Sequence, residues 1–439
     1  MSQQESRLTR WLTAAPDWLF ASYAITASFS TYFCMYAFRK PFAVATYDQF
    51  NTFLGLDLKT SLVISQIVGY TLSKIIGMKV CSELGRANRA KALVGLVLWA
   101  QAALILFAVV PPSFKVPAIL LNGLSLGMIW GLVVRYLEGR RLSELVLAGL
   151  SCSYIVSSGV VKDVGRIWMD AGVSDVWMPA VTGFCFLPLY LASVWLLDQV
   201  PEPSTADMIS RTERPRMNSA DRARFVGQSW VGLLLLFTVY FFLTAYRDFR
   251  DNYGIEIFQE LGYADTPALF SRTEFPVAIG VILALAALNL FRNHRHGLIG
   301  VFAVMTCGLM LMTGATLMLD AGLLRGRELW WMVLVGLGSY LAYVPFGTAL
   351  FERLIASTRC RGNAVFAIYI ADSVGYTGSI AVQIYKDLFQ SDMNRFEFFH
   401  AFTYTLSLLG AGLLVASCIY FLSKIHRVAS DEETGTHSE

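Results

Sequence analysis

Charged side chains are scarce in this sequence: Asp, Glu, Lys and Arg make up 15% of 439 residues, against 55% hydrophobic. A chain so poor in charge cannot cover an ordinary water-soluble domain, and its apolar residues come in runs long enough to cross a bilayer. Histidine is sparse as well, at 5 residues, and the 7 cysteines are odd in number. Cys34, Cys152, Cys185, Cys307 and Cys418 lie in apolar runs without metal-ligand spacing, so neither a zinc site nor a disulfide framework is expected. No Walker or dinucleotide fingerprint occurs in a strand-to-helix context, and the glycines of GLSLGMIWG, VGLGS and LLGAG suit close helix packing instead. No nucleophile–base pair emerges, which makes an enzyme the least supported class, and no cofactor is expected. The net charge of +3 reflects basic loops rather than a nucleic-acid patch. What remains is an all-α polytopic membrane protein.

The N-terminal MSQQESRLTRWLTAAPDW carries Arg7 and Arg10 before the first long apolar run, which is too long for a signal core and has no small-residue cleavage site after it. It reads as a retained first span with a cytoplasmic N-terminus. Spans are expected at about 18–42, 60–80, 92–110, 116–136, 144–166, 177–197, 230–248, 274–291, 298–318, 329–350, 363–383 and 399–423. Twelve spans put both termini on one side. Basic residues test that count: Arg86, Arg89 and Lys91, then Arg140 and Arg141, Arg292 and Arg295, and Arg353, Arg359 and Arg361 all fall in cytoplasmic loops, with Arg325 and Arg327 as exceptions. The polar segment 198–228 reads as a solvated cytoplasmic linker between two six-helix bundles, 1–197 and 229–427, with a polar tail at 428–439. That organisation is expected of a transporter with parallel half-repeats and a midplane site.

Charge inside a span needs a reason, because a central Arg or Lys costs roughly 2.5–3.5 kcal/mol. In TYFCMYAFRKPF, residues 31–42, Tyr32, Tyr36 and Arg39 stand at i, i+4 and i+7 and share one helical face. Two readings compete. Arg39 and Lys40 either snorkel at a helix end closed by Pro41, or the helix continues through PFAVATY and the charges meet a water-filled cavity. Lys74, in the middle of the next span, favours the cavity, with Tyr70 four residues before it on the same face. Two phenols and several cations suit an anion with several oxygens.

Several local patterns in order resemble the major facilitator superfamily, and within it the organophosphate:phosphate antiporters, the group of the glycerol-3-phosphate and hexose-phosphate transporters. They are YAFRKPF in span one, GYTLSKIIG in span two, LNGLSLGMIW in span four, Cys152 two residues before the family's span-five histidine position, and YLAYVP followed by RGNAVFAIYIADSVGY in spans ten and eleven. The resemblance implies the major facilitator fold and a bacterial inner-membrane transporter working as a monomer. It makes Arg39 one of two arginines that grip the phosphoryl group, with Tyr32 and Tyr36 beside it and Lys74 and Tyr70 lining the same pocket. The second arginine is placed at Arg247 in TVYFFLTAYRDFRDNYG; the alternative is that Arg247 and Asp251 pair at i and i+4 while Arg250 faces water.

The chain also departs from that pattern. Tyr154 stands where the family has histidine, and a phenol does not titrate near neutral pH. Tyr154, Ser158, Lys162 and Arg166 then recur every four residues; Lys162 and Asp163 read as a solvated outer helix end, with Lys162 as a third pocket cation the other option. Asp372, flanked by Tyr369 and Tyr376, requires a pocket cation, a substrate ammonium or a proton. Asn122 and Trp130 reach either a cavity or a helix interface, Arg135 and Glu138 read as a gating or helix-end pair, and Glu274 as interfacial. The acidic loop motif after span two is degenerate, MKVCSELGRANR, with Glu83 alone acidic. The expected protein is a secondary transporter of a small organic anion, an organophosphate or phosphonate, exchanged for inorganic phosphate, with the lipid bilayer and that solute as its partners. The alternatives are a proton-coupled symporter of a zwitterionic or carboxylate solute and a non-transporting sensor of a phosphorylated ligand.

Overall fold

The computed structural model of the chain describes residues 6–50, 53, 55–138, 143–151, 153–203, 219–263, 266–291, 293–358 and 364–435. Arg140, Arg141, Arg292, Arg359 and Arg361 of the basic-loop pattern, Cys152, residues 204–218 of the linker and 436–439 of the tail lie outside the described residues. Among the described residues there are seventeen α-helices and no strand, with one isolated bridge between Phe53 and Leu56. The first nine helices are α1 (Arg7–Thr13), α2 (Asp17–Tyr36), α3 (Leu58–Glu83), α4 (Arg86–Val109), α5 (Pro112–Leu126), α6 (Ile129–Leu137), α7 (Ser143–Ser151), α8 (Ser153–Asp170) and α9 (Met178–Asp198). The rest are α10 (Ser219–Asn252), α11 (Gly254–Glu260), α12 (Leu269–Asn289), α13 (His294–Asp320), α14 (Leu329–Thr348), α15 (Leu350–Thr358), α16 (Ala364–Phe389) and α17 (Arg395–Gly435). The last helix thus extends into what the sequence reads as a polar tail.

Among the described residues, eight helical segments are long and apolar enough to cross a membrane: Arg86–Val109, Pro112–Leu137, Met178–Asp198, Ala223–Asn252, Leu269–Leu288, His294–Asp320, Leu329–Thr348 and Arg395–His426. The helices at expected spans one, two, five and eleven are outside that set. Ser, Thr and Tyr dilute α2, lysines interrupt α3, Lys162 and Asp163 interrupt α8, and Asp372 interrupts α16.

The chain forms two compact units. Unit 1 comprises Met1–Thr212 with Asn252–Ile255 and Tyr263–Arg272, and unit 2 comprises Glu213–Asp251, Glu256–Gly262 and Thr273–Glu439. In unit 1, α3 and α5 meet backbone to backbone: a Cβ added at Gly123 would lie 2.4 Å from the Gln66 carbonyl oxygen. In unit 2, α13 and α14 meet in the same way at Gly308, where a Cβ would lie 2.5 Å from the Gly338 carbonyl oxygen. Small residues at these points let helices approach without a hydrophobic driving force between them.

The first span does not continue to residue 42 as one helix. Helix α2 ends at Tyr36, residues 37–40 form a turn, and Pro41–Val44 is a single 3₁₀ turn. Pro41 has no N–H to give the Ala37 carbonyl and disfavours helical backbone before it. The carbonyls released by the break are claimed from neighbouring helices: Asn122 Nδ2 donates to the Phe38 oxygen at 2.9 Å, and Gln66 Nε2 donates to the Arg39 oxygen at 2.9 Å. Gln66 also donates to Asn122 Oδ1 at 2.9 Å, which locks the two amides together. The break is therefore built in, and it fixes where Arg39 projects.

Candidate substrate-binding site

In unit 1 the break sends its two cations apart. The Arg39 guanidinium carbon lies 4.0 Å from the centroid of the Tyr70 ring and 5.7 Å from that of Tyr36. Lys74 Nζ lies 5.4 Å from the centroid of the same Tyr70 ring, so α3 brings its phenol and its ammonium to the Arg39 side. The Tyr32 and Tyr70 hydroxyls are 3.4 Å apart. Tyr32 meets Tyr36 edge-on at 5.6 Å and Trp130 at 4.8 Å, and Trp130 continues to Tyr154 at 6.4 Å. Arg39, Tyr32, Tyr36, Tyr70, Lys74, Trp130 and Tyr154 thus form one cluster drawn from four stretches of sequence. The contact of a guanidinium with a ring face uses none of its N–H donors.

Two sequence candidates have other work. Asn122 is buried, and besides Phe38 it donates to the Ala100 carbonyl at 3.3 Å, so its amide is occupied in holding the backbone. Lys40 is buried with Nζ 3.2 Å from Asn252 Oδ1, also in unit 1. An apolar cavity of about 350 Å³, lined by Ile64, Val68, Val116, Pro117 and Leu120 among others, contains no ionisable side chain and is separate from the cluster.

Unit 2 is arranged differently. Arg247 Nη2 donates to Asp248 Oδ1 at 2.8 Å and Nε to the same oxygen at 3.3 Å, while the guanidinium lies 4.2 Å from the Tyr343 ring centroid. Asp248 Oδ2 accepts from the Ser379 hydroxyl at 2.9 Å. The partner of Arg247 is thus Asp248, where helical spacing points to Asp251. Arg250 does not face water: its side chain is 4% exposed, Nη1 donates to Glu274 Oε1 at 2.7 Å and Nη2 to the Met332 carbonyl at 3.1 Å. Glu274 is accordingly a buried ion-pair partner and not interfacial. A guanidinium spent on a buried carboxylate and a carbonyl is structural, which leaves Arg247 as the arginine of α10 beside the polar cluster. Asp372, half-buried on α16, accepts from the Tyr240 hydroxyl at 2.7 Å, and that hydroxyl is 3.1 Å from Tyr343 Oη.

Lys162 and Asp163 are no solvated helix end. Both are buried, Lys162 Nζ lies 4.8 Å from the Phe270 ring centroid, and the Asp163 carboxylate accepts from the Phe270 N–H at 3.1 Å and the Ser271 N–H at 2.7 Å. Asp163 therefore caps the first turn of α12, where unpaired N–H groups and the helix dipole favour a carboxylate. Sequence reasoning missed Gln66, Tyr240 and Tyr343. Tyr343 and Tyr240 carried a signal, being phenols in otherwise apolar spans; Gln66 carried the same signal as an amide eight residues before Lys74.

No curated protein matches the chain by sequence. Solved structures match it by fold. A D-xylose–proton symporter matches with a TM-score of 0.59 and 14% identity over 92% of this chain and 97% of its own. A bacterial homologue of the human drug peptide transporters PepT1 and PepT2 matches with 0.59 and 13% over 93% and 99%. The nucleoside transporter NupG, as a point mutant, matches with 0.58 and 11% over 92% and 99%. At such identities the likeness carries the fold alone: the chain has the major facilitator fold. The model of a family of unknown function, DUF5690, matches residues 41–424.

Proposed function

The chain belongs to the DUF5690 family, and from the cluster in unit 1 we propose that it is a secondary active transporter moving a small organic anion, an organophosphate or phosphonate, by alternating access. The observation that carries this reading is the placement of Arg39 and Lys74 against one ring, Tyr70, with Tyr32 and Tyr36 beside them. A phosphoryl group carries between one and two negative charges near neutral pH, and two cations with phenol donors replace its water with charge-assisted hydrogen bonds. A ring contact holds a cation without using its N–H donors. The resemblance to organophosphate:phosphate antiporters suggests exchange for inorganic phosphate, and the fold's other members, among them sugar, peptide and nucleoside transporters, show that the fold leaves the solute open. The reading includes a six-helix organisation for each half, a bacterial plasma-membrane location with both termini cytoplasmic, and a monomeric working unit.

Counterflow in proteoliposomes tests it. Vesicles loaded with unlabelled phosphate or a phosphate ester should accumulate labelled phosphate, and Arg39→Ala should abolish the accumulation. Labelled phosphate entry no faster than into protein-free vesicles, across a panel of phosphate and phosphonate counter-solutes, rejects the proposal. A proton-coupled symporter of a zwitterionic or carboxylate solute is the second reading, favoured by Asp372, a half-buried carboxylate in an apolar helix.

A further inference from the structure

We propose that helix α1 lies on the membrane surface and that its outer face, Arg7, Arg10 and Trp11, binds the headgroups of anionic phospholipids. These three residues stand at i, i+3 and i+4 on one face and are exposed, Trp11 by 51%. The opposite face is fastened to unit 1: Leu12 is buried, and Thr9 Oγ1 donates to Gln199 Oε1 at 3.4 Å. The Ser6 hydroxyl donates to the same oxygen and caps the helix, accepting from the Thr9 N–H at 3.0 Å. Gln199 directly follows α9, a segment long and apolar enough to cross a membrane, so α1 sits where that span leaves the bilayer. Two more exposed indoles mark this end of unit 1, Trp18 at 70% in the first turn of α2 and Trp195 at 59% in the last turn of α9. The Tyr23 hydroxyl joins α2 to α9 there, donating to the Leu196 carbonyl at 2.8 Å. Indoles gather at the headgroup level of a bilayer, where an apolar ring with one N–H donor is half solvated. In that layer the two guanidinium groups meet phosphate oxygens, each able to grip two at once, and a net negative surface draws them further. Between residues 6 and 20 the acidic side chain is Asp17, in the first turn of α2, where the helix dipole favours it.

The proposal does not depend on which solute the protein moves. Peptide-resolved hydrogen exchange tests it on the full chain in nanodiscs, one set of phosphatidylcholine alone and one of phosphatidylcholine mixed with phosphatidylglycerol. The amides of residues 7–13 should exchange at least about fivefold more slowly in the anionic bilayer, the effect of one basic side chain at such a surface, about 1 kcal/mol. High salt should shrink the difference. In Arg7→Gln/Arg10→Gln the two bilayers should give the same rate, while Arg7→Lys/Arg10→Lys should keep most of the difference. A wild-type α1 that exchanges equally fast in both bilayers overturns the proposal without any variant. So does a difference that persists in Arg7→Gln/Arg10→Gln. A double variant whose α1 exchanges faster than the wild type in phosphatidylcholine alone, by as much as it does in the anionic bilayer, overturns it as well, because the arginines would then serve the fold of the helix and not the lipid.

Discussion

In unit 1, Arg39 and Lys74 lie against the rings of Tyr36 and Tyr70; in unit 2, two arginines of α10 meet carboxylates, Arg247 at Asp248 and Arg250 at Glu274. A ring attracts a cation without neutralising it, whereas a carboxylate neutralises it and takes its N–H donors as well. Arg247 does both, since its guanidinium also lies 4.2 Å from the Tyr343 ring centroid. A ring contact suits a cation that is also to meet an anion, while the buried Arg250–Glu274 pair holds the fold together. The difference also explains why arginine count alone is a poor guide to a binding site.

The largest effect should come from breaking the most deeply buried pair. Glu274→Ala strands the Arg250 charge and should cost about 3–5 kcal/mol, read as a large fall in melting temperature in detergent; a double replacement of Arg250 and Glu274 by Met and Leu should recover much of it. A small loss in Glu274→Ala would mean that Arg250 is not structural, and the contrast with Arg39 would fail. Arg39→Ala should weaken phosphate binding by about 1.5–3 kcal/mol, roughly 10- to 150-fold in Kd by calorimetry.

Asn122→Ala tests whether the break after Tyr36 positions Arg39. It removes donors from the Phe38 and Ala100 carbonyls and an acceptor from Gln66, at about 1–3 kcal/mol of stability. Ligand affinity should fall with it although Asn122 is not placed in contact with ligand. A stability loss with wild-type affinity would assign Asn122 to packing only. The smallest effect is expected from Tyr70→Leu, which keeps bulk but removes the ring face and hydroxyl, at about 0.5–2 kcal/mol of ligand binding. A neutral result there would show that the ring contact is incidental.

Much of the unit 1 cluster was legible because its members recur at helical spacing: Tyr32, Tyr36 and Arg39 on one stretch, Tyr70 and Lys74 on the next. Helical spacing also misled at that point, since it assumed that the helix ran on past Arg39, and Pro41 stops it. The unit 2 pairs were hidden for two distinct reasons. Asp248 is the immediate neighbour of Arg247, a separation at which helical side chains do not ordinarily face each other, so spacing pointed to Asp251 instead. Glu274 lies on a different helix from Arg250, and a charge next to an apolar run looks solvated until its partner is known. Lys162 and Asp163 failed for the same reason, because what buries them, Phe270 and Ser271, is more than a hundred residues away in sequence. Periodicity reveals faces of single helices and is blind to pairs made across them.

The central claim is that Arg39 is the anchor of an anion site, and ligand-induced thermal stabilisation tests it most directly. Purified wild-type protein and Arg39→Ala would be melted with inorganic phosphate, sugar phosphates, glycerophosphodiesters, aminophosphonates and simple carboxylates. A specific ligand at 100 times its Kd stabilises by about 2.7 kcal/mol. The account predicts that phosphate or a phosphorylated compound raises the wild-type melting temperature and that Arg39→Ala loses the response. Stabilisation by carboxylates or amines alone, or an Arg39→Ala protein that responds to phosphate as the wild type does, would contradict it.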